Sequence, residues 1–193
     1  MGTNRLESFS DGVIAVAITL LVLGITVPPQ GTQHLAHFLG RQWPEYLAYV
    51  ISFLTIGIIW INHHAMIGRL READHTILIL NLLLLMTIGI LPFATDLIAK
   101  HRHESLAAAV YSGCFMLMAF VFSLLNRQVL IVRGHLLAET LPLDERRQIW
   151  RRAASGVVPY VLATALAFVS AYITLGICAA IALYYATPLA STR

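Results

Sequence analysis

The stretch RLESFSDGVIAVAITLLVLGITVPP, residues 5–29, joins a polar beginning to a long apolar run. Arg5, Glu7 and Asp11 carry charge at its beginning, whereas residues 12–28 are uncharged. At a rise of 1.5 Å per residue, a helix over the uncharged run would measure roughly 25 Å, close to the hydrocarbon thickness of a bilayer. The stretch therefore predicts a membrane-spanning helix whose polar beginning lies at the membrane edge, where a carboxylate costs far less than at the midplane.

The composition of the whole chain indicates an integral membrane protein. Of its 193 residues, 58% are hydrophobic and 12% are charged, and the mean hydropathy is +0.75. Soluble domains average about 25% charged residues. The formal charge of +3 is modest, so we expect no nucleic-acid partner. Cys114 and Cys178 lie inside apolar runs without metal-ligand spacing, and we expect them to be packed hydrophobic side chains.

Six segments of the chain approach the length of about 20 apolar residues that a membrane-spanning helix needs. They cover about residues 8–27, 45–67, 76–98, 105–126, 153–172 and 175–189. Pro92 is expected to kink the third segment, which neighbouring helices can tolerate. Little more than Ile173 and Thr174 separates the last two segments, so a broken helix or a long hairpin is the alternative there. The prediction is one all-α integral membrane domain over residues 1–193.

The distribution of cationic residues predicts the orientation in the membrane. If both termini are cytoplasmic, ten of the 13 Lys and Arg residues lie on the cytoplasmic side and three lie outside. The cytoplasmic ones are Arg5, Arg69, Arg71, Arg127, Arg133, Arg146, Arg147, Arg151, Arg152 and Arg193, and the outer ones are Arg41, Lys100 and Arg102. This bias follows the positive-inside rule and supports an even number of spans in a multi-pass protein of the cell membrane.

The first helix carries a periodic stripe of small and medium side chains. Spacings of four, three, four and three residues place on one helical face Gly12, Val16, Thr19, Leu23 and Thr26. Such a face favours close packing between helices, which is the simpler interpretation of the spacing. The alternative is a pore lining, with a hydroxyl ring from Thr19 and apolar constrictions at Val16, Leu20 and Leu23.

Polar residues from three predicted helices fall at one depth near the cytoplasmic edge. The second helix ends with WINHH, residues 60–64, and the third helix begins on the same side. Because polar groups buried in lipid must find partners, we expect a cluster at this depth. Its candidate members are Arg5, Ser10, Asp11, His63 or His64, and Asn81. We expect Asp11 to join helices through hydrogen bonds, with cation binding as the alternative.

The motifs do not indicate a metal centre or an enzyme site. His63 and His64 are adjacent, so on a helix they point about 100° apart and one of them alone would reach an ion shared with Asp11. The chain has no nucleophile elbow, phosphate-binding loop or H-E-x-x-H motif, so we expect no enzymatic activity and no cofactor. It also has no T-V-G-Y-G loop, so a channel of this sequence would select ions without a filter of backbone carbonyls.

The first half of the chain resembles the transmembrane protein 175 family, which comprises the lysosomal potassium channel and its prokaryotic relatives. Three motifs in order carry the resemblance: R-x-x-x-F-S-D at residues 5–11, WINHH at 60–64 and LNLLLLMTIGILPFATDLI at 80–98. The second half is similar to the family in length and hydropathy. The resemblance implies six helices per subunit, cytoplasmic termini and a homotetramer whose central pore is lined by the first helix.

By position, the resemblance also implies which residues face the ion. A hydrophobic constriction and a hydroxyl layer would be formed by Val16, Thr19 or Leu20, and Leu23. A larger Ile or Leu is common in the family where this chain has Val16, so the ring at this position would be wider. Potassium is the expected permeant ion, with other monovalent cations as further candidates.

The family motif on the first helix implies a second set of residues. They are Arg5, Phe9, Ser10 and Asp11, with a structural and gating role through contacts to the second and third helices. The residues alone leave two other functions open. A secondary or proton-coupled transporter would use Asp11 and His63 or His64 as a relay, and a membrane-embedded metalloenzyme would use the same histidines.

Overall fold

The apolar segments of the chain fold into helices. A computed structural model describes residues 3–139 and 141–186. In these ranges the α-helices are α1 (Thr3–Leu20), α2 (Leu35–Arg41), α3 (Trp43–Ile67), α4 (His75–Gly89), α5 (Leu91–Lys100), α6 (Ser105–Arg127), α7 (Leu143–Ser155), α8 (Val157–Leu166) and α9 (Ala171–Ala186). A 3₁₀ turn, Leu21–Gly24, extends α1, and a π-helical turn, Gln128–Val132, extends α6.

Four helical segments within the described residues are long and apolar enough to cross a membrane. They are Thr3–Gly24, Trp43–Ile67, His75–Lys100 and Ser105–Val132. These segments correspond to the first four predicted spans. The chain is therefore an all-helical membrane protein by the length and composition of its helices.

The polar beginning of the first span is helical. α1 starts at Thr3, ahead of the predicted start at residue 8, so the charged residues near the N-terminus belong to the helix. Its buried side chains, continued by one from the 3₁₀ turn, are Leu6, Ser10, Ile14, Ala17 and Leu21. Spacings of three and four residues place these side chains on one face, which packs against α3, α4 and α5.

Pro92 divides the third predicted span. α4 ends at Gly89, and α5 begins at Leu91 with Pro92 as its second residue. Proline has no backbone N–H to donate to the carbonyl four residues earlier, which causes the break. The kink predicted from the sequence is present.

The predicted fifth helix, residues 153–172, is not one continuous helix. α7 ends at Ser155, α8 begins at Val157, and a turn over residues 167–170 follows α8. Pro159 cannot donate to the carbonyl of Ser155, which explains the interruption. The predicted fifth helix therefore covers the end of a polar helix, α7, and a short apolar helix, α8.

α8 and α9 form a helical hairpin. α9 starts at Ala171, before the predicted start of the sixth helix at residue 175. Near its end, the Tyr185 hydroxyl oxygen would lie 3.3 Å from a Cβ added to Gly156, so the hairpin returns to the end of α7. The predicted residues 187–189 and Arg193 lie outside the described part of the chain.

Two contacts near helix ends show which ends lie on the same side of the helical bundle. At one side, Arg133 Nε lies 2.8 Å from Asp74 Oδ2, which joins the segment after α6 to the start of α4. At the other side, the Tyr172 hydroxyl lies 3.3 Å from His103 Nδ1, which joins the start of α9 to the start of α6. The α4–α5 segment and α6 therefore run in opposite directions.

The packed centre of the bundle contains a short polar cluster. Tyr111 and Phe115 of α6 are fully buried, with ring centroids 4.8 Å apart. Ser52 Oγ lies 2.8 Å from Thr95 Oγ1 and 3.0 Å from the Tyr111 hydroxyl, so these buried hydroxyl groups are paired. Both cysteines are free thiols, and Cys178 is fully buried, as expected for a packed hydrophobic side chain.

Candidate functional site

One face of α1 is exposed in the subunit. The exposed fraction is 57% for Val16, 43% for Leu20 and 75% for Leu23. Thr19 and Gly12 lie on the same exposed side, opposite the face that packs against α3, α4 and α5. The four side chains predicted to face the ion therefore all lie on the exposed side of α1 in the subunit.

The Thr19 hydroxyl has its donor directed at its own helix. Thr19 Oγ1 lies 3.0 Å from the carbonyl oxygen of Ala15 and 2.9 Å from that of Val16. A hydroxyl has one proton to donate and two lone pairs that accept. Because the proton is used within the helix, the lone pairs of the exposed oxygen remain available to a cation.

Leu23 sits in the 3₁₀ turn that ends the helix. The turn covers Leu21–Gly24, and Ile25 then adopts an extended conformation. A Cβ added to Gly24 would lie 3.4 Å from Asp96 Oδ1, an ordinary van der Waals distance, so Gly24 is next to Asp96 of α5. A 3₁₀ turn at the end of a helix is common, and this one sets the direction of the Leu23 side chain.

Two side chains from the start of α3 hold the chain just beyond this turn. The Thr26 N–H donates to Glu45 Oε2 over 2.9 Å, and Gln42 Nε2 donates to the Thr26 carbonyl over 2.6 Å. The Tyr46 hydroxyl donates to Gln42 Oε1 over 3.1 Å. Both backbone groups of Thr26 are thereby bonded, one to Glu45 of α3 and the other to Gln42, the residue just before α3.

At the opposite end of α1, three buried side chains form a hydrogen-bonded chain. Ser10 Oγ donates to the Leu6 carbonyl over 2.8 Å, and Asn81 Nδ2 donates to Ser10 Oγ over 3.0 Å. Asn81 Oδ1 lies 2.7 Å from His63 Nε2. Since the amide nitrogen of Asn81 is the donor to Ser10, its oxygen must accept, and His63 Nε2 carries the proton. We call Ser10, Asn81 and His63 the inner chain, and the N-terminal end of α1 its inner end; the inner chain joins α1, α4 and α3.

Two further pairs lie nearer the surface at the same depth. Trp60 Nε1 donates to Asp11 Oδ1 over 2.8 Å, and His64 Nδ1 lies 2.8 Å from Glu7 Oε1. Potential ligand atoms of Glu7, Asp11 and His64 lie within 4.8 Å of one another, a spacing compatible with a metal ion. His63, which a His63–His64–Asp11 site would require, is bonded to Asn81 instead.

The structure brings together some of the predicted cluster and leaves other members apart. Asn81 is hydrogen-bonded to both Ser10 and His63, whereas Asp11 and His64 lie close to each other but are bonded to Trp60 and Glu7. Arg5 and Phe9 are exposed, and Arg5 forms no side-chain hydrogen bond or ion pair with the described residues.

Four contributors lay outside the predicted site. Trp60 lies in the WINHH motif and Glu7 in the first motif, so their positions were a usable signal for the inner pairs. Gln42 and Glu45 belong to none of the three motifs, and nothing in their spacing distinguishes them from other polar residues at the start of a helix, so the sequence contains no signal for them.

Comparison with known proteins assigns the chain to a family. The family model described as endosomal/lysosomal potassium channel TMEM175 matches residues 5–92. A potassium channel of Streptomyces collinus is 44% identical over 188 residues, covering 95% of this chain and 91% of that protein. A potassium channel of Chamaesiphon minutus is 39% identical over 190 residues, covering 95% and 93%.

Two further matches concern a solved structure and an animal relative. The crystal structure of a lysosomal potassium-selective channel TMEM175 homolog from Chamaesiphon minutus matches with a TM-score of 0.84 at 37% identity, covering 99% of this chain and 98% of that one. A mouse protein named endosomal/lysosomal proton channel TMEM175 is 37% identical over 134 residues, which cover 63% of this chain and 27% of the mouse protein.

These matches extend beyond the motifs of the first half, since the bacterial relatives align along nearly the whole chain. The resemblance inferred from the motifs is confirmed, and so is the expected class of ion channel as opposed to enzyme, because the family consists of channels. The chain belongs to the TMEM175 family of potassium channels.

Proposed function

We propose that four copies of this chain form a potassium-permeable channel in the cell membrane, with both termini cytoplasmic and with α1 of each copy lining a central pore. The observation that carries the proposal is the division of α1 into two faces. One face is buried against α3, α4 and α5, and the other exposes Val16, Thr19, Leu20 and Leu23. The bacterial relatives that are named potassium channels support potassium as the permeant ion.

The surface beside α1 supports self-association. A groove of about 550 Å³ runs between α1 and the end of α4, and small residues on both sides, Gly12 and Gly89, leave it open. Close approach of helices in membranes is favoured by such small residues. Val16 and Leu20 also line this groove, so a neighbouring copy would pack along its α4 side, beside Gly89, and would leave the stripe facing a common axis.

The helical hairpin of α8 and α9 would supply spans five and six. α8 has 10 residues and α9 has 16, so they measure roughly 15 Å and 24 Å along their axes. Each is short for a bilayer of about 30 Å. The positive-inside distribution and the return of α9 to the end of α7 favour two crossings over a surface hairpin.

Selection without a carbonyl filter would then fall to the α1 stripe. A ring of four Thr19 oxygens offers lone pairs to a partly dehydrated cation, and Val16, Leu20 and Leu23 form apolar rings that exclude ions when they are narrow.

A transporter that relays protons from Asp11 to a histidine gains no support from the contacts. His63 is bonded to Asn81, and Asp11 and His64 lie within 4.8 Å of each other but are bonded to Trp60 and to Glu7, so the hydrogen bonds of the described residues form no relay from Asp11 to either histidine. Proton conduction through the pore itself is the second candidate function, because the mouse relative is named a proton channel.

Planar-bilayer recording of the purified chain tests the proposal. We expect stepwise currents whose reversal potential follows the potassium gradient, together with a tetrameric mass by native mass spectrometry. Replacing potassium with N-methyl-D-glucamine under a pH gradient isolates any proton current. Absence of stepwise current from a verified tetramer, or a stable monomer or dimer that conducts, would contradict the proposed assembly.

Thr19→Val is expected to lower the permeability ratio of potassium over sodium severalfold while the tetramer persists. Valine has nearly the shape of threonine but no oxygen, so the ring of lone pairs is lost without a change in packing. Reversal potentials under bi-ionic conditions measure the ratio. Thr19→Ser keeps the hydroxyl and serves as the control, and an unchanged ratio in Thr19→Val would remove Thr19 from ion selection.

Glu45→Leu is expected to loosen the outer end of the pore helix. The Thr26 N–H loses its acceptor, which costs about 1 kcal/mol, and single-channel records should show added sub-conductance levels. Glu45→Gln keeps an acceptor at the same place and removes the charge, so it should behave like the unmodified channel. If Glu45→Gln is as disturbed as Glu45→Leu, the charge of Glu45 matters and the hydrogen bond does not.

A further inference from the structure

One exposed stripe changes from cationic to apolar where α7 meets α8. Gly156 keeps right-handed helical dihedrals, φ −63° and ψ −18°, so the faces of α7 continue into α8. The exposed positions at spacings of four, four, three and four residues are Arg147, Arg151, Ser155, Val158 and Leu162. This order of side chains matches the order of a lipid leaflet, in which charged headgroups give way to hydrocarbon within one or two helical turns.

The opposite face of the same helices packs into the protein. Ile149 and Ala153 of α7 contact the core, and Tyr160 and Ala163 of α8 are buried in it. α8 packs mainly against α6 and α9, whereas the helices packed against α1 are α3, α4 and α5. The exposed stripe therefore lies away from the proposed pore and faces the surrounding membrane.

Two guanidinium groups lie one helical turn apart at the polar end of the stripe. Arg147 and Arg151 line one groove of about 440 Å³, together with Asp144, Gln148, Arg152 and Ser155. Arg147 Nη1 is 3.9 Å from Asp144 Oδ1, a long contact at the surface that leaves most of the donors of Arg147 available. A guanidinium group presents paired donors that suit phosphate oxygens.

We propose that Arg147 and Arg151 bind the phosphate of an anionic lipid in the leaflet on the α7 side of the membrane, which the charge distribution predicts to be cytoplasmic. The acyl chains of this lipid lie along Val158 and Leu162. A free phosphate ion would need the arginines but would have no use for the apolar continuation of the stripe, which is why we assign a lipid. Asp144 competes with the phosphate for Arg147.

Native mass spectrometry of the full chain in detergent, with added phosphatidylglycerol or phosphatidylcholine, tests this proposal. We expect tighter binding of phosphatidylglycerol, reduced about fivefold by Arg147→Gln and by Arg151→Gln. Asp144→Asn should increase the affinity about threefold, because it removes the competing carboxylate. All three side chains are exposed, so the variants should fold, and circular dichroism verifies this.

Arg71→Gln is the matched control for net charge. Arg71 is exposed, lies in the loop before α4 and pairs with its neighbour Glu72, so its replacement should leave lipid binding unchanged. Equal losses in Arg71→Gln and Arg147→Gln would overturn the proposal in favour of a general charge effect. Equal binding of the two lipids, or equal thermal stabilisation by inorganic phosphate and by phosphatidylglycerol, would also overturn it.

Discussion

Leu23→Ala is expected to raise the single-channel potassium conductance severalfold, the largest functional change that we predict for one substitution. In a tetramer the change removes three carbon atoms from each of four side chains at one level of the pore. Leu23 is 75% exposed in the subunit, so its truncation leaves no core cavity and should cost less than about 0.5 kcal/mol of stability. The measurement is the unitary current in planar bilayers under symmetrical potassium.

Two leucine variants separate a pore effect from an effect on folding. Leu106 at the start of α6 is 69% exposed, and Leu106→Ala should leave the conductance unchanged. Leu21 is in the same 3₁₀ turn as Leu23 but is 2% exposed, so Leu21→Ala should destabilise the protein by about 2–5 kcal/mol without widening the pore. A Leu23→Ala conductance equal to that of the parent channel would exclude Leu23 from the constriction.

Asn81→Leu is expected to cause the largest loss of stability at the inner end of α1. Asn81 bonds to both Ser10 and His63, and all three side chains are fully buried. A leucine would leave the His63 Nε2–H without an acceptor, at a cost of about 1–3 kcal/mol. The measurement is thermal melting, with the fraction of tetramer that remains at each temperature determined by size-exclusion chromatography.

A second substitution tests whether the hydrogen bond causes that loss. In His63→Phe combined with Asn81→Leu, the buried donor and its acceptor are both replaced by apolar groups, which is close to neutral when the shapes agree. The double variant should therefore be more stable than Asn81→Leu alone. Additive losses would show that packing at the two positions, and not their hydrogen bond, stabilises the inner end.

The sequence predicts the early spans well because their signals are local. The uncharged run after Asp11 has the length of a membrane span. Pro92 breaks the third predicted helix because proline lacks a backbone N–H, an effect that does not depend on neighbouring helices. The boundaries of the predicted fifth helix are harder to predict because hydropathy is averaged over about 20 residues. Averaging conceals the interruption at Gly156, although Gly156 and Pro159 are both residue types that disfavour a continuous helix.

The candidate site, too, could be predicted only in part from the sequence. Depth in the membrane follows from counting residues, so Ser10, His63 and Asn81 could be placed at one level. Which of two adjacent histidines turns inward depends on the rotation of α3 about its axis, which spacing does not supply. For the same reason Asp11 could not be matched with Trp60, nor Thr26 with Glu45. Such pairings depend on interhelical packing.

The buried inner chain has a consequence for a protein that works between solutions of different salt content. Ser10 and Asn81 are uncharged, and their bond lies out of reach of dissolved ions. Screening weakens exposed charge pairs, such as Arg71 and Glu72, over a Debye length of about 8 Å at physiological ionic strength. The position of α1 should therefore stay constant as the ionic strength beside the membrane rises or falls.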